Sequence, residues 1–253
     1  MMADDKEFMT TLAKGLAVLG AFDKHRPAMT LSQAASLTGL SRATARRILH
    51  TLAKLGYVVQ SGRQFSLSSS ILGLGFAYLA TQHWIEQAMP RMRQVSEAFQ
   101  ESCSAAILQN TEVVYVARIP ARRIMSVSIA VGSRLPAFHT AIGRAQLGFL
   151  DAAEIWRRLK SVRIEPLTPA TIVDLSALFE RVRDDRAQGF SLVDEELERG
   201  LRAIAVPIVN RHGEAIAALN VSTHSTRTTR NEMRARFLPR LKAVAEEISQ
   251  TLI

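Results

Sequence analysis

The sequence holds a single cysteine, Cys103, so no disulfide can form within the chain and a reducing, cytoplasmic setting is expected. With Ala105, Ala106 and Ile107 close behind it, Cys103 reads as a small apolar filler on a strand rather than a reactive thiol. Long apolar runs are also missing. The greasiest stretch, Ile71 to Ala80, is interrupted by Gly73 and Gly75 and is too short to span a bilayer. The opening MMADDKEFMTTLAKGLAVLG puts acids before any apolar run and has no small-residue cleavage site, so it does not read as a signal peptide. No membrane partner is expected. Gly-x-Ser-x-Gly, a phosphate-binding glycine loop, Cys-x-x-Cys and His-Glu-x-x-His are all absent, which argues against an enzyme and against a metal or cofactor. There are no repeats and no low-complexity segments.

The most informative absence is of acidic residues. From Lys24 to Ile85 there is no Asp or Glu, while Lys24, Arg26, Arg42, Arg46, Arg47, Lys54 and Arg63 all fall inside. The whole chain carries +9, a surplus that favours anionic partners. Its 253 residues exceed one usual core, and 47% hydrophobic with 22% charged residues is the balance of a folded protein, so two domains are expected.

Within the basic module the pattern predicts three short helices. Thr11 to Phe22 spaces Leu12, Leu16, Leu19 and Phe22 helically, with Pro27 beyond its end. Thr30 and Gln33 form a capping box for LSQAASLT, closed by Gly39. Ser41 then caps Arg42 to Leu55, ended by Gly56, and the tight turn Gly39-Leu40-Ser41 makes the pair a helix-turn-helix candidate. YVVQSGRQFSLS follows as a hairpin turning at Ser61-Gly62, which is a wing. Ile71 to Trp84 reads as a connecting helix, apolar enough to pack within the subunit or across a dimer.

On a 3.6-residue helix, Ala45, Ile48, Leu49, Leu52 and Leu55 share one face, opposite Ala43, Arg46, Arg47, His50 and Lys54. The apolar stripe docks the helix and the basic face points outward. A solvated helix face would ordinarily carry acids as well, so a duplex DNA operator is the expected partner. Candidate DNA-binding residues are Ser41, Arg42, Ala43, Thr44, Arg46, Arg47, His50 and Lys54, with Arg63 on the wing; Arg can pair bidentately with guanine, and Ala43 or Thr44 can touch a thymine methyl. Arg63, Lys24 and Arg26 suit phosphates, which fix register without reading sequence.

From Glu86 onward the reading is α+β. Strands are predicted at Ser104 to Gln109, Val113 to Ile119, Met125 to Val131, Phe190 to Val193, Leu201 to Val209 and Ala215 to Ser222. Helices are predicted at Pro90 to Glu101, Ala141 to Leu159, Asp174 to Gln188 and Asn231 to Leu252, with Arg211-His212-Gly213-Glu214 as a turn. Thr229 and Glu232 box the last helix, which Pro239 should kink. A second acid-free stretch, Val113 to Leu150, holds Arg118, Arg122, Arg123, Arg134 and Arg144, residues suited to clamping a carboxylate. Solvated loop positions for Arg122 and Arg123, and an ion pair of Arg144 with Asp194 or Glu195, are the competing readings.

LAKGLAVLGAF, LSQAASLTGLSRATARRILHTLAKLGYV, GSRLPAFHTAIGRAQLGFL, GFSLVDEELERGLRAIAVPI and AALNVS together resemble, in order and across nearly the whole chain, the isocitrate-lyase-regulator (IclR) family of bacterial transcription factors. The resemblance implies a winged helix-turn-helix over 9–69, a linker helix over 70–85 and a GAF-like effector domain over 86–253, with an antiparallel sheet flanked by helices. It also implies dimers or tetramers on palindromic operators. LSRATARRILHTL and LERGLRAIAVPI are most similar to regulators of protocatechuate, 4-hydroxybenzoate and β-ketoadipate catabolism. In such proteins the segment matching Thr140 to Gly143 and the pair matching Asn220 and Ser222 face the effector, whereas Ala141, Ile142 and Ala203 depart from residues seen in some members. The implied effector-binding set is Arg134, His139, Thr140, Ala141, Ile142, Asp194, Leu201, Ala203, Asn220 and Ser222, around a small anionic organic acid. A ligand-independent architectural DNA binder and an enzyme fused to a DNA-binding module are the rival readings.

Overall fold

The computed structural model describes residues 7–23, 25–121 and 129–252. They form two compact units that divide between Thr81 and Gln82.

The first unit runs α1 (Thr10–Gly20), β1 (Ala28–Thr30), α2 (Leu31–Thr38), α3 (Arg42–Lys54), β2 (Val58–Ser61), β3 (Gln64–Leu67) and α4 (Ile71–Ala80). Local chemistry places the breaks. The Thr30 hydroxyl accepts from the Gln33 amide while the Gln33 side chain accepts from the Thr30 amide, and Gly39 takes the left-handed conformation at φ 65°. Ser41 caps α3. Met29, Ile48, Leu49, Leu52, Val58 and Phe65 close on Val18 and Phe22 to form the core, each buried side chain contributing roughly 1.5–3 kcal/mol. Leu55 departs from expectation. It follows the end of α3 and is 63% exposed. Leu12 and Leu16 are exposed too, because Val18, with Leu19 beside it, supplies the buried side of α1, and Phe22 packs from just beyond its end. β1, not anticipated, pairs antiparallel with β3 and makes the wing a three-stranded sheet of order β1-β3-β2. Three residues are too few to show period-two patterning. The connecting helix stops at Ala80, short of Trp84, and buries none of its side chains.

The second unit contains α5 (His83–Phe99), β4 (Ser102–Gln109), β5 (Glu112–Ile119), β6 (Arg134–Pro136), α6 (Ala141–Leu147), α7 (Ala152–Ser161), α8 (Leu175–Gln188), β7 (Ser191–Asp194), β8 (Leu201–Val209), β9 (Ala215–His224), α9 (Arg230–Glu232) and α10 (Leu238–Ser249). Its six strands form one antiparallel sheet of order β6-β5-β4-β9-β8-β7. α5 and α10 pack on one face, where Phe99 and Phe237 stack with ring centroids 4.2 Å apart. α6 packs on the other, backed by α8, with α7 against α8. This is the α+β plan, an antiparallel sheet flanked by helices.

Several boundaries differ from the sequence pattern. α5 begins at His83 and carries Pro90 inside it. The helix expected from Ala141 to Leu159 is two helices, because Asp151 caps a new start by accepting from the Glu154 amide at 2.7 Å. Pro239 lies in the first turn of α10 rather than at a kink; just before it the chain widens into a π-turn over Met233–Phe237. Proline lacks an amide donor, and a wider turn upstream is one way to accommodate that. Of the strand expected over Met125 to Val131, residues 125–128 lie outside the described residues, as do Arg122 and Arg123, while Ile129, Ala130 and Val131 are described and belong to no strand. Cys103 is fully buried on β4, and burial pushes its thiol up to about 12.

Candidate nucleic-acid interface and ligand cavity

Ala45, Ile48, Leu49 and Leu52 anchor α3 to the first unit. That leaves Arg42, Ala43, Arg46, Arg47, His50 and Lys54 exposed, together with Arg63 at the tip of the β2–β3 hairpin. No acidic residue interrupts this face. Ser41 and Thr44 close the start of the helix, where the Ser41 hydroxyl accepts from the Thr44 amide at 3.2 Å and lies 2.9 Å from the Thr44 hydroxyl. Their oxygens hold the cap, leaving the Thr44 methyl as the part able to meet a base. Arg26 is less available than its position suggested, since its guanidinium clasps Asp23 and holds that carboxyl down to about 2. Lys24 lies outside the described residues.

In the second unit a cavity of about 180 Å³ opens beside the sheet. Register explains its floor. Arg118, Ser104, Asn220 and Ala205 lie in one row across β5, β4, β9 and β8, and Ser102, Ser222, Ala203 and Val193 form the next. The Arg118 guanidinium donates to Ser104 Oγ at 3.2 Å and Ser102 Oγ at 3.3 Å, and its burial lowers its pKa. Asn220 Nδ2 donates to Ser222 Oγ at 3.1 Å. Opposite the floor, His139, Thr140 and Ala141 form a wall where the turn Ala137–His139 enters α6. Gly143 permits this close packing: a Cβ there would sit 2.3 Å from the Ala137 carbonyl oxygen. The segment from Leu197 to Leu201 covers another side.

Three buried polar atoms here have no hydrogen-bond partner among the described residues: both ring nitrogens of His139 and Oδ1 of Asn220. Burial, aided by the positive charge of Arg144, holds His139 down to about 4, so its ring is neutral at physiological pH. A neutral ring offers one donor and one acceptor. Leaving such groups unmatched costs about 1–3 kcal/mol each, and a bound polar molecule would satisfy them.

The structure therefore gathers His139, Thr140, Ala141, Leu201, Ala203, Asn220 and Ser222 at one cavity and separates three residues expected with them. Arg134, 45% exposed, donates to Glu112 at 2.9 Å and Gln109 at 2.7 Å on the sheet edge. Ile142 points into the hydrophobic core. Asp194 lies off the cavity, held by Arg202 at 2.6 Å and Arg230 at 2.5 Å. Arg144 pairs with Glu196 rather than with either neighbouring acid, because Glu195 takes a left-handed backbone at φ 60° and Glu196 turns inward. Of the arginines expected to suit a carboxylate, Arg118 lines the cavity, and Tyr115 was missed as a cavity residue. Simple alternation puts them on opposite faces, but a bulge opposite Ala105 and Ala106 inserts Val116 and brings both to the same side.

A winged helix-turn-helix joined to a cavity-bearing α+β unit defines a ligand-responsive class of transcription regulator. Residues 11–62 match the IclR helix-turn-helix domain, and residues 76–250 match the family described as bacterial transcriptional regulator IclR C-terminal. The chain belongs to the IclR family. It is 41% identical over 249 residues to the Pca regulon regulatory protein of Pseudomonas putida, covering 98% of this chain and 86% of that one. It is 34% identical over 248 residues to the p-hydroxybenzoate hydroxylase transcriptional activator of Acinetobacter baylyi, covering 96% and 92%. The second unit is similar to the inducer-binding domain of a double mutant of PobR from Acinetobacter, solved in complex with 3-hydroxybenzoic acid. That match has 31% identity, a TM-score of 0.61, and covers 65% of this chain and 97% of the other. Among the described residues no helix is long and apolar enough to cross a membrane.

Proposed function

We propose that this transcription regulator binds its operator as a cytoplasmic homodimer or tetramer, without enzymatic activity, and that a small aromatic or dicarboxylic acid held in the second unit's cavity controls the binding. The proposed division is a DNA-binding domain over 9–69, a linker over 70–85 whose helical part is α4, and an effector domain over 86–253. The observation carrying the effector reading is the set of unpartnered atoms on His139 and Asn220 inside the cavity. Asn220 Oδ1 can only accept, so the group meeting it must donate, as a ring hydroxyl does and a carboxylate does not. Arg118 on the same floor supplies positive charge for the acid end, and Tyr115, Ile129, Leu135 and Val193 wall an apolar body.

The PobR domain's 3-hydroxybenzoic acid and the names of the two relatives support the same class of ligand. One short recognition helix reads too few base pairs to be selective, which favours paired half-sites and hence a dimer. The exposed Leu72, Leu74, Phe76 and Tyr78 on α4 are the proposed seam. Ligand binding shifts operator affinity only through its differential affinity for two dimer geometries. Calorimetric titration of the full chain with 4-hydroxybenzoate, protocatechuate and benzoate tests this. The hydroxylated acids are expected to bind more tightly than benzoate and to lose that advantage in Asn220→Ala with Ser222→Ala. Equal affinity for all three acids in the native protein would refute the assignment.

A further inference from the structure

A second concave site lies elsewhere in the second unit. It is a cleft of about 230 Å³ built from three regular stripes. Arg181, Asp185 and Gln188 come from successive turns of α8. Phe190, Leu192 and Asp194 alternate along the β7 segment, and Arg230 and Arg234 are one turn apart on α9 and the π-turn after it. Residues two apart on a strand share a face, so the β7 side chains lining this cleft point away from Val193, which lines the cavity described above.

Three arginines and three acids line the cleft, and two further arginines, Arg144 and Arg202, bind its acids from outside the lining. Each of its acids is engaged: Asp194 by Arg202 and Arg230, Glu196 by Arg144, and Asp185 by the Ser191 hydroxyl, which donates to it at 2.6 Å. Asp185 is 4% exposed, and burial lifts its carboxyl to about 6, which makes it the acid here most easily neutralised. Arg181 and Arg234 make no salt bridge among the described residues, although the charge of Arg181 acts on nearby Asp185 to lower its pKa, and Arg230 already shares Asp194 with Arg202. Beside these cations lie Phe190, Leu192, Ile172 and Ala170. Free guanidinium groups next to an apolar strip match an anion that carries a hydrophobic body.

We propose that this cleft is a second ligand site, for a small organic carboxylate whose charge lies between Arg181 and Arg234 and whose apolar part lies on Phe190, Leu192 and Ile172. The two sites adjoin through β7 and the chain after it: Val193 faces the cavity and Asp194 the cleft, and Glu196 lines the cleft immediately before Leu197 lines the cavity. Occupation of one is therefore placed to alter the other.

Equilibrium dialysis of radiolabelled 4-hydroxybenzoate against the full-length protein provides the test. The native protein is expected to show two classes of site. Arg181→Gln with Arg234→Gln should lose one class and keep the other, whereas Arg181→Lys with Arg234→Lys, which preserves both charges, should keep both. Both arginines are exposed, so the melting temperature should be unchanged. A single class in the native protein that survives in the glutamine variant, or two classes persisting there, would overturn the proposal. Asn220→Ala with Ser222→Ala acts only on the cavity. If that variant leaves both affinities unchanged while the glutamine variant loses one class, the cavity reading fails and the cleft stands.

Discussion

Arg144 and Glu196, far apart in sequence, form an ion pair inside the second unit in which the arginine side chain is 0% exposed. Arg144 Nη1 donates to Glu196 Oε1 at 2.9 Å, and Nε donates to the Phe138 carbonyl at 2.6 Å. The pair thus ties α6 and the turn before it to the loop after β7. Removing one partner leaves a buried charge, which costs roughly 3–5 kcal/mol. Glu196→Gln and Arg144→Met should each lower stability by about that amount, as measured by urea denaturation. The double variant should recover much of the loss, since neither Met nor Gln is charged and both charge-desolvation penalties are removed. Additive losses in the double variant would contradict the pairing.

Stability against pH should carry two opposed contributions. His139 is held down from 6.5 to about 4, so the folded state binds its proton less readily than the unfolded chain. That stability is present above pH 6.5 and is lost as pH falls toward 4, about 3 kcal/mol in all. Asp185 is raised from 3.8 to about 6 by burial, so its contribution is present below 3.8 and lost as pH rises through 6. Across the shared window the two offset. His139→Phe should unmask stability that increases as pH falls from 6 to 4, and Asp185→Asn should steepen the loss over the same range. Denaturation midpoints of both variants at intervals of pH read this directly, and parallel profiles in all three proteins would contradict it.

What the sequence made legible was what local chemistry dictates. Thr30 with Gln33, Gly39, Ser41, Gly56 and the alternation around Gly62 specify caps and turns within a few residues, and the helix-turn-helix and wing follow from them. The cavity residues Thr140, Asn220 and Ser222 were legible through the family resemblance and not through a local pattern, although the Thr140 hydroxyl also caps α6 by accepting from Gly143. Arg118 depended on a bulge set by the partner strand, and the fate of Arg134 depended on Glu112 across a sheet edge. Glu196 was hidden by a left-handed residue before it. These are tertiary choices that no local pattern encodes.

Gly143 gives a steric prediction. Its missing side chain lets the backbone of Ala137 approach, with the Ala137 carbonyl oxygen, Cα and carbonyl carbon all within 2.7 Å of where a Cβ would stand. Backbone atoms cannot rotate away, so Gly143→Ala must push α6 off the turn beneath it. A loss of about 1–3 kcal/mol is expected, with weakened acid binding because Thr140 and Ala141 move with the helix. Gly15→Ala in α1 meets nothing within 4 Å, and should be stabilising by about 0.5–1 kcal/mol. If both substitutions behaved alike in thermal melts, the packing argument would fail.

The basic face of α3 gives the most direct test of DNA recognition. Arg46 and Arg47 are exposed and make no ion pair among the described residues, while the helix is anchored by Ala45, Ile48, Leu49 and Leu52 on its other side. Arg46→Ala with Arg47→Ala should therefore leave the melting temperature unchanged and abolish operator selectivity, because each bidentate contact with a base is worth about 1–3 kcal/mol. Arg63 stands on the wing hairpin, away from that face, where a phosphate is its natural partner. Its loss should weaken operator and random DNA alike and reduce the slope of log affinity against log salt by about one unit. Gel shifts on both sequences across a salt series separate the two roles. Loss of selectivity on replacing Arg63, or undiminished operator preference in the Arg46, Arg47 variant, would mean that α3 is not the element reading the major groove.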